Sequence, residues 1–221
     1  MLLHSLWKVL HLIKIKIEYK MAGKYIFAFL VAAVFAGGVE AQVGVPCHAD
    51  IFQFTPRHSL NVSEYMGNWY MQEIAGSNIG NFPAPDYKCA TRSLSLPNGT
   101  DITQVSAVDT FVNVTSGASI VETSAVNVNN TRSPYTSMWY MTTGTVETDV
   151  IILSADLEFK QWTVVYSCAI LAPDSYRYET VTALTRSQTI EPELRQFLKA
   201  LMVGVGFRIG DHHPIDQTNC E

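Results

Sequence analysis

From Gly67 to Arg186 the chain is a succession of short runs rich in Val, Ile, Thr, Tyr and Trp, each bounded by turn residues. Eight such runs fall near 68–76, 87–96, 101–111, 118–128, 135–143, 148–154, 162–171 and 177–185. Repeated short strands at this spacing define an all-β sandwich or barrel. The turns have local causes: Pro97-Asn98-Gly99, Ser116-Gly117 and Asn129-Asn130 supply positive φ or a side-chain hydrogen bond to the backbone. Ile102-Thr103-Gln104-Val105 and Thr180 to Leu184 alternate polar and apolar. Several other runs are apolar or neutral on both faces, which favours a closed sheet with a mostly apolar interior over a sandwich with a filled core.

After Thr189 the period changes. Glu191-Pro192-Glu193 suits a helical first turn, with an early proline and acid at the positive end of the helix dipole. Leu194, Phe197, Leu198, Leu201 and Met202 then recur at intervals of three and four, and Gly204 and Gly206 end the segment. One amphipathic helix after eight strands is expected to lie against the outside of the sheet. Residues 78–86, with Gly80, Pro83 and Pro85, form the one long irregular connection, either a lid over an open end or a plain surface loop.

The amino terminus reads as processing signal rather than fold. Met21-Ala22-Gly23-Lys24 is a short basic start, Tyr25 to Ala36 a twelve-residue apolar stretch, and Val39-Glu40-Ala41 a small-residue cleavage site. Cleavage is expected after Ala41, and twelve apolar residues fall short of the roughly 20 needed to span a bilayer. Residues 1–20 precede that signal and carry Lys8, Lys14, Lys16 and Lys20. They read as a mis-assigned start, with translation beginning at Met21; a long basic leader or an amphipathic targeting piece is the alternative.

Residues 42–221 are therefore expected to form one secreted domain. Of the 15 basic and 20 acidic residues in the chain, residues 1–41 hold five lysines and two glutamates, so the domain carries a net charge of −8. No basic cluster remains to neutralise phosphates, which argues against nucleic acid and anionic membranes as partners. Cys47, Cys89, Cys168 and Cys220 form an even set in an exported chain, so two disulfides are expected, in any of three connectivities. Sequons at Asn61, Asn98, Asn113 and Asn129 agree with a secretory route.

Gly67-x-Trp69 at the first strand, Arg186 just past the last, and the amphipathic helix with its cysteine-terminated tail together resemble the lipocalins. The resemblance covers essentially all of 42–221 and implies an eight-stranded antiparallel up-and-down β-barrel with one C-terminal helix outside. It assigns Gly67, Trp69 and Arg186 to the barrel floor, the guanidinium on the indole being worth about 0.5–2 kcal/mol. The family's second motif is degraded to Leu157-Glu158-Phe159-Lys160-Gln161-Trp162, where acid, amide and aromatic survive and threonine is lost.

The cysteines and Asp216-Gln217-Thr218-Asn219-Cys220 look like the apolipoprotein D-like branch. That branch implies the pairs Cys47–Cys168 and Cys89–Cys220, each worth roughly 2–4 kcal/mol. The implied function is carriage of a small hydrophobic ligand such as a fatty acid, sterol, bilin or carotenoid, with no separate cofactor. Candidate cavity residues are Met71, Phe111, Trp139, Tyr140, Met141, Trp162 and Tyr166, with Tyr176 and Tyr178 at the mouth; strand parity is open for each.

Two other function classes stand beside the carrier. Some lipocalins dock to other proteins as pigment-complex subunits, so a homo-oligomer or receptor is a further partner class. A few are enzymes using a cavity cysteine, which requires an unpaired thiol. Other catalytic patterns fail: His212-His213 has no metal-ligand spacing and reads as solvated tail, Gly204-x-Gly206-x-x-x-Gly210 follows a helix instead of a strand, and no serine sits in a nucleophile elbow.

Overall fold

The computed structural model describes Cys47 and residues 60–77, 86–99, 101–128, 135–171 and 176–220. The expected extension 1–20, the leader 21–41, the sequon at Asn129 and residues 78–85 of the lid segment lie outside the described residues.

All eight expected strands form: β1 (Gly67–Ser77), β2 (Tyr87–Ser95), β3 (Gln104–Asn113), β4 (Ser119–Asn127), β5 (Met138–Thr143), β6 (Val146–Ala155), β7 (Trp162–Leu171) and β8 (Tyr176–Thr185). Each pairs antiparallel with the next, and β1 pairs with both β8 and β2, closing the barrel. The third strand starts later than the alternation suggested. Asp101 Oδ1 accepts from Thr103 N at 2.9 Å and Thr103 Oγ1 at 2.6 Å, and this local side-chain bonding holds 101–103 in a turn.

The expected helix is α2 (Pro192–Gly204), preceded in the chain by the short α1 (Val62–Tyr65). Leu198 and Met202 bury against Ala75, Val164, Val181 and Ala183 on the outer wall. Phe197, half-exposed, meets Trp162 edge-on at 5.2 Å. The helix ends where Val205 N and Gly206 N bond back to Leu201 and Val203, with Gly206 at φ +104.

Two β-bulges break the alternation of the strands near the seam between β1 and β2. Met71 and Ile74 both face the interior, so Gln72 and Glu73 face out together; Tyr87 and Ala90 do the same on β2, sending Lys88 and Cys89 outward. The second half of β1 leaves β2 and pairs instead with β9 (His212–Pro214). The tail then crosses to β2: Ile215 N donates to Gln72 O at 3.1 Å, Cys89 N donates to Asp216 O at 2.8 Å, and the Gln217 amide donates to Met71 O and Ala90 O at 2.7 and 2.9 Å. The Cys89–Cys220 disulfide staples this inserted strip, and Cys47–Cys168 ties the leading segment to β7.

The expectation that His212-His213 lies in a solvated tail is therefore corrected. The His212 side chain is 3% exposed, and its Nδ1 lies 3.4 Å from Oε1 of buried Glu73. The bulge turns Glu73 outward beneath helix and tail, where Lys199 Nζ approaches Oε1 at 3.0 Å and Arg195 Nη1 approaches Oε2 at 4.0 Å. A buried carboxylate needs such partners, since stranding it costs several kcal/mol. The tail is drawn in by backbone pairing with β1 and β2.

Candidate functional site

The barrel interior is divided by side-chain size. Inward positions at the α1 end carry Trp69, Leu94, Val105, Val126, Trp139, Val150, Val165 and Leu184, which pack with Tyr65 and Phe159 into a solid floor. Inward positions toward the other end carry Ala90, Thr148, Ser167, Ala169, Thr180 and Thr182, which are too small to meet across the barrel. A cavity of about 450 Å³ results. That volume is within the range of sites that enclose small molecules, roughly 300–1,000 Å³.

Arg186 organises the floor. Its guanidinium carbon stands 3.6 Å from the Trp69 ring centroid. Its nitrogens donate to the carbonyls of Phe159 (3.0 Å), Asn68 (2.9 Å), Glu64 (3.3 Å), Tyr65 (3.1 Å) and Met66 (2.8 Å). Three of these carbonyls end α1 and have no partner within so short a helix. Burial lowers the Arg186 pKa, which the charges of Tyr65 and Asp156 only partly offset. Gly67 is required here twice over: its φ is +100, and a Cβ would lie 3.2 Å from Arg186 Nη1. Trp69 is fully buried and donates Nε1–H to Tyr65 O at 3.1 Å. Tyr65 donates to Thr163 Oγ1 at 3.3 Å, and its burial pushes the phenol up to about 12.

Above the floor, Met71, Phe111 and Met141 lie on the cavity wall, where Phe111 packs on Tyr87 with centroids 4.3 Å apart. The other cavity candidates are placed elsewhere. Trp139 faces inward but belongs to the floor, edge-on to Tyr65 at 5.4 Å with Nε1–H donated to Thr136 O at 2.7 Å. Trp162 faces the helix, and Tyr140 takes the outward parity opposite to its neighbours Trp139 and Met141. Tyr166 is on the outer face, buried near Cys47, Cys168 and Phe207, with its hydroxyl donated to Glu179 Oε1 at 2.6 Å. Burial, aided by the Glu179 carboxylate, raises its pKa well above the ordinary phenol value. Tyr178 lines the cavity, while the Tyr176 side chain lies outside the description.

The polar part of the wall was not anticipated. Arg92 on β2 faces Asp109 on β3 in a forked ion pair, Nε to Oδ1 at 2.7 Å and Nη2 to Oδ2 at 2.6 Å, both side chains about five-sixths buried. Burial works against the guanidinium charge, but Asp109 more than offsets this and raises the Arg92 pKa. Glu122 and Ile215 also line the cavity. Arg92 and Asp109 share inward parity with Leu94 and Ala107, so a register would have found them; the bulge at 88–91 and the tail insertion that brings Ile215 leave no periodic trace.

All four cysteines are in disulfides, and among the described residues no cluster of three or more His, Cys, Asp or Glu side chains is placed to hold a metal ion. Of the sequons, Asn61 and Asn98 are exposed, while the Asn113 amide oxygen accepts from Ser116 N at 2.8 Å in the β3–β4 turn.

A closed eight-stranded up-and-down barrel, floored by an arginine-capped tryptophan, open above to an internal cavity and flanked by one helix, has the lipocalin fold. Solved structures bear this out at low sequence identity. Lobster apocrustacyanin A1 superposes with a TM-score of 0.55 at 16% identity, covering 78% of this chain and 84% of its own. Ex-FABP, a siderocalin that functions through dual ligand specificities, gives 0.52 at 16% over 72% and 94%. The odorant binding protein OBP1 gives 0.57 at 8% over 74% and 97%. No family model matches the chain, and no curated protein matches its sequence.

Proposed function

We propose that the protein is a secreted lipocalin of the apolipoprotein D-like branch that carries a small hydrophobic molecule in its barrel. The observation that carries this reading is the 450 Å³ cavity above a packed floor, lined by Met71, Phe111 and Met141. Affinity comes from burial, at roughly 25 cal/mol per Å² of apolar ligand surface removed from water. The barrel is pre-formed and stapled by two disulfides, so little ordering opposes binding. Structures of similar fold include a siderocalin with dual ligand specificities and an odorant binding protein, which supports a small-molecule carrier as the general class.

Secretion is supported by the paired cysteines and by the sequons at Asn61, Asn98, Asn113 and Asn129, proposed here as glycosylation sites. That every cysteine is bonded favours a binding role over a thiol-based enzymatic one. The test is solvent extraction of the purified protein with mass spectrometry of the extract, its visible spectrum recorded beforehand. Phe111→Ala and Met141→Ala should each weaken binding of the extracted compound about threefold to thirtyfold, as expected for lost apolar contact. An empty extract together with no uptake of added apolar compounds would overturn the carrier reading and leave protein docking, as a homo-oligomer or on a receptor, as the alternative.

A further inference from the structure

Three charged side chains form one row across neighbouring strands and line the cavity, Arg92 and Asp109 largely buried and Glu122 exposed to solvent. The register sets Arg92 opposite Asp109, and Asp109 opposite Glu122. Arg92 commits both arms of its fork to Asp109. The row therefore holds one cation and two carboxylates, and directly opposed like charges repel. Among the described residues lining the cavity Arg92 is the one cation, so the second carboxylate has no basic partner on the wall.

The three headgroup types an apolar molecule can carry are not equivalent in such a site. A carboxylate would approach two carboxylates and a guanidinium whose charge is already paired with Asp109 through Nε and Nη2. A hydroxyl would find ordinary partners in wall residues such as Thr148, Ser167 and Thr182. A protonated amine would screen the Asp109–Glu122 repulsion and restore neutrality to the row, with its apolar part against Met71, Phe111 and Met141. Charge-assisted hydrogen bonds are roughly twice as strong as neutral ones.

Resting on the carrier reading above, we infer that the cavity selects an apolar molecule bearing a protonated amine, held between Asp109 and Glu122. The test is displacement of the neutral fluorophore N-phenylnaphthylamine from the purified protein at neutral pH by dodecylamine, dodecanol and dodecanoate, three ligands with one chain and three headgroups. Dodecylamine should displace at about tenfold lower concentration than dodecanol, and dodecanoate should be weakest. In Glu122→Gln, whose folding is checked by its thermal melt, the amine-to-alcohol ratio should fall to within about threefold.

Dodecanoate equal to or better than dodecylamine in the parent would overturn the inference, as would an amine preference unchanged in Glu122→Gln. Equal displacement by all three would overturn amine selection and leave the carrier reading standing. Failure of the fluorophore and of all three ligands to bind would overturn both.

Discussion

Replacing Arg186 by methionine keeps a stem of similar length and removes only the guanidinium, so its cost follows from what the guanidinium holds. The Asn68 and Glu64 bonds lie at the exposed edge, where water can take over. The Tyr65 carbonyl keeps its bond from Trp69 Nε1. Two part-buried carbonyls, Phe159 O and Met66 O, lose their Arg186 donor. At about 1 kcal/mol each, with about 1–2 kcal/mol for the lost stacking on Trp69, the variant should be about 3–4 kcal/mol less stable. For a chain of this size that lowers Tm by roughly 10 °C, measurable by circular dichroism or calorimetry. Arg186→Lys should recover less than half of the loss, because one ammonium cannot reach carbonyls on α1, β1 and the β6–β7 turn together. Affinity for an apolar probe, measured below the transition, should hold, since Trp69 and Tyr65 separate Arg186 from the cavity. A methionine variant melting within about 2 °C of the parent would refute this account of the floor.

The Tyr65 phenol, raised by burial to about 12 against an ordinary value near 10, links stability to alkaline pH. Its folded pKa lies above the unfolded one, so its contribution is whole below pH 10 and is lost as pH rises to about 12, by up to about 2.7 kcal/mol. Tyr65→Phe should remove about one proton from the slope of stability against pH in that window; denaturant titrations giving an unchanged slope would count against it. Removing the Cys89–Cys220 bridge by a double alanine substitution should cost about 2–4 kcal/mol and expose residues 215–220 to proteolysis, because the bridge pins the strip that fills the seam between β1 and β2. A tail as protease-resistant as the parent's would mean that backbone pairing alone holds it.

Much of the barrel is local in origin and was readable from the chain. Strand-forming runs, their turns and the change of period at Thr189 report preferences spanning a few residues, so eight strands and one helix follow from them. Gly67, Trp69 and Arg186 were readable through the family resemblance, and the structure gives each its physical use: a positive φ, a large buried ring and a planar cation to cover it. The site was less legible. Aromatic residues marked the wall for a reader of sequence, yet Trp162 and Tyr166 have the outward parity and Trp139 fills the floor. The cavity has room because many inward positions of its upper half hold Ala, Ser or Thr beside the larger wall residues, and which residues are inward depends on register.

The sequence by itself determined the eight barrel strands, their order and the outer helix and, through the family resemblance, the floor residues and the cysteine pairs, whereas α1 and β9 arise only in the folded chain. Only the tertiary structure decided what faces what. Two bulges, each inserting one unpaired residue, reverse side-chain parity midway along β1 and β2 and so turn Glu73 and Cys89 outward. Those reversals open the seam into which the tail folds, burying His212 and placing Ile215 on the cavity wall. The row of Arg92, Asp109 and Glu122 joins residues from three strands whose pairing no local preference encodes. It arises when the barrel closes, and closure is a property of the whole sheet.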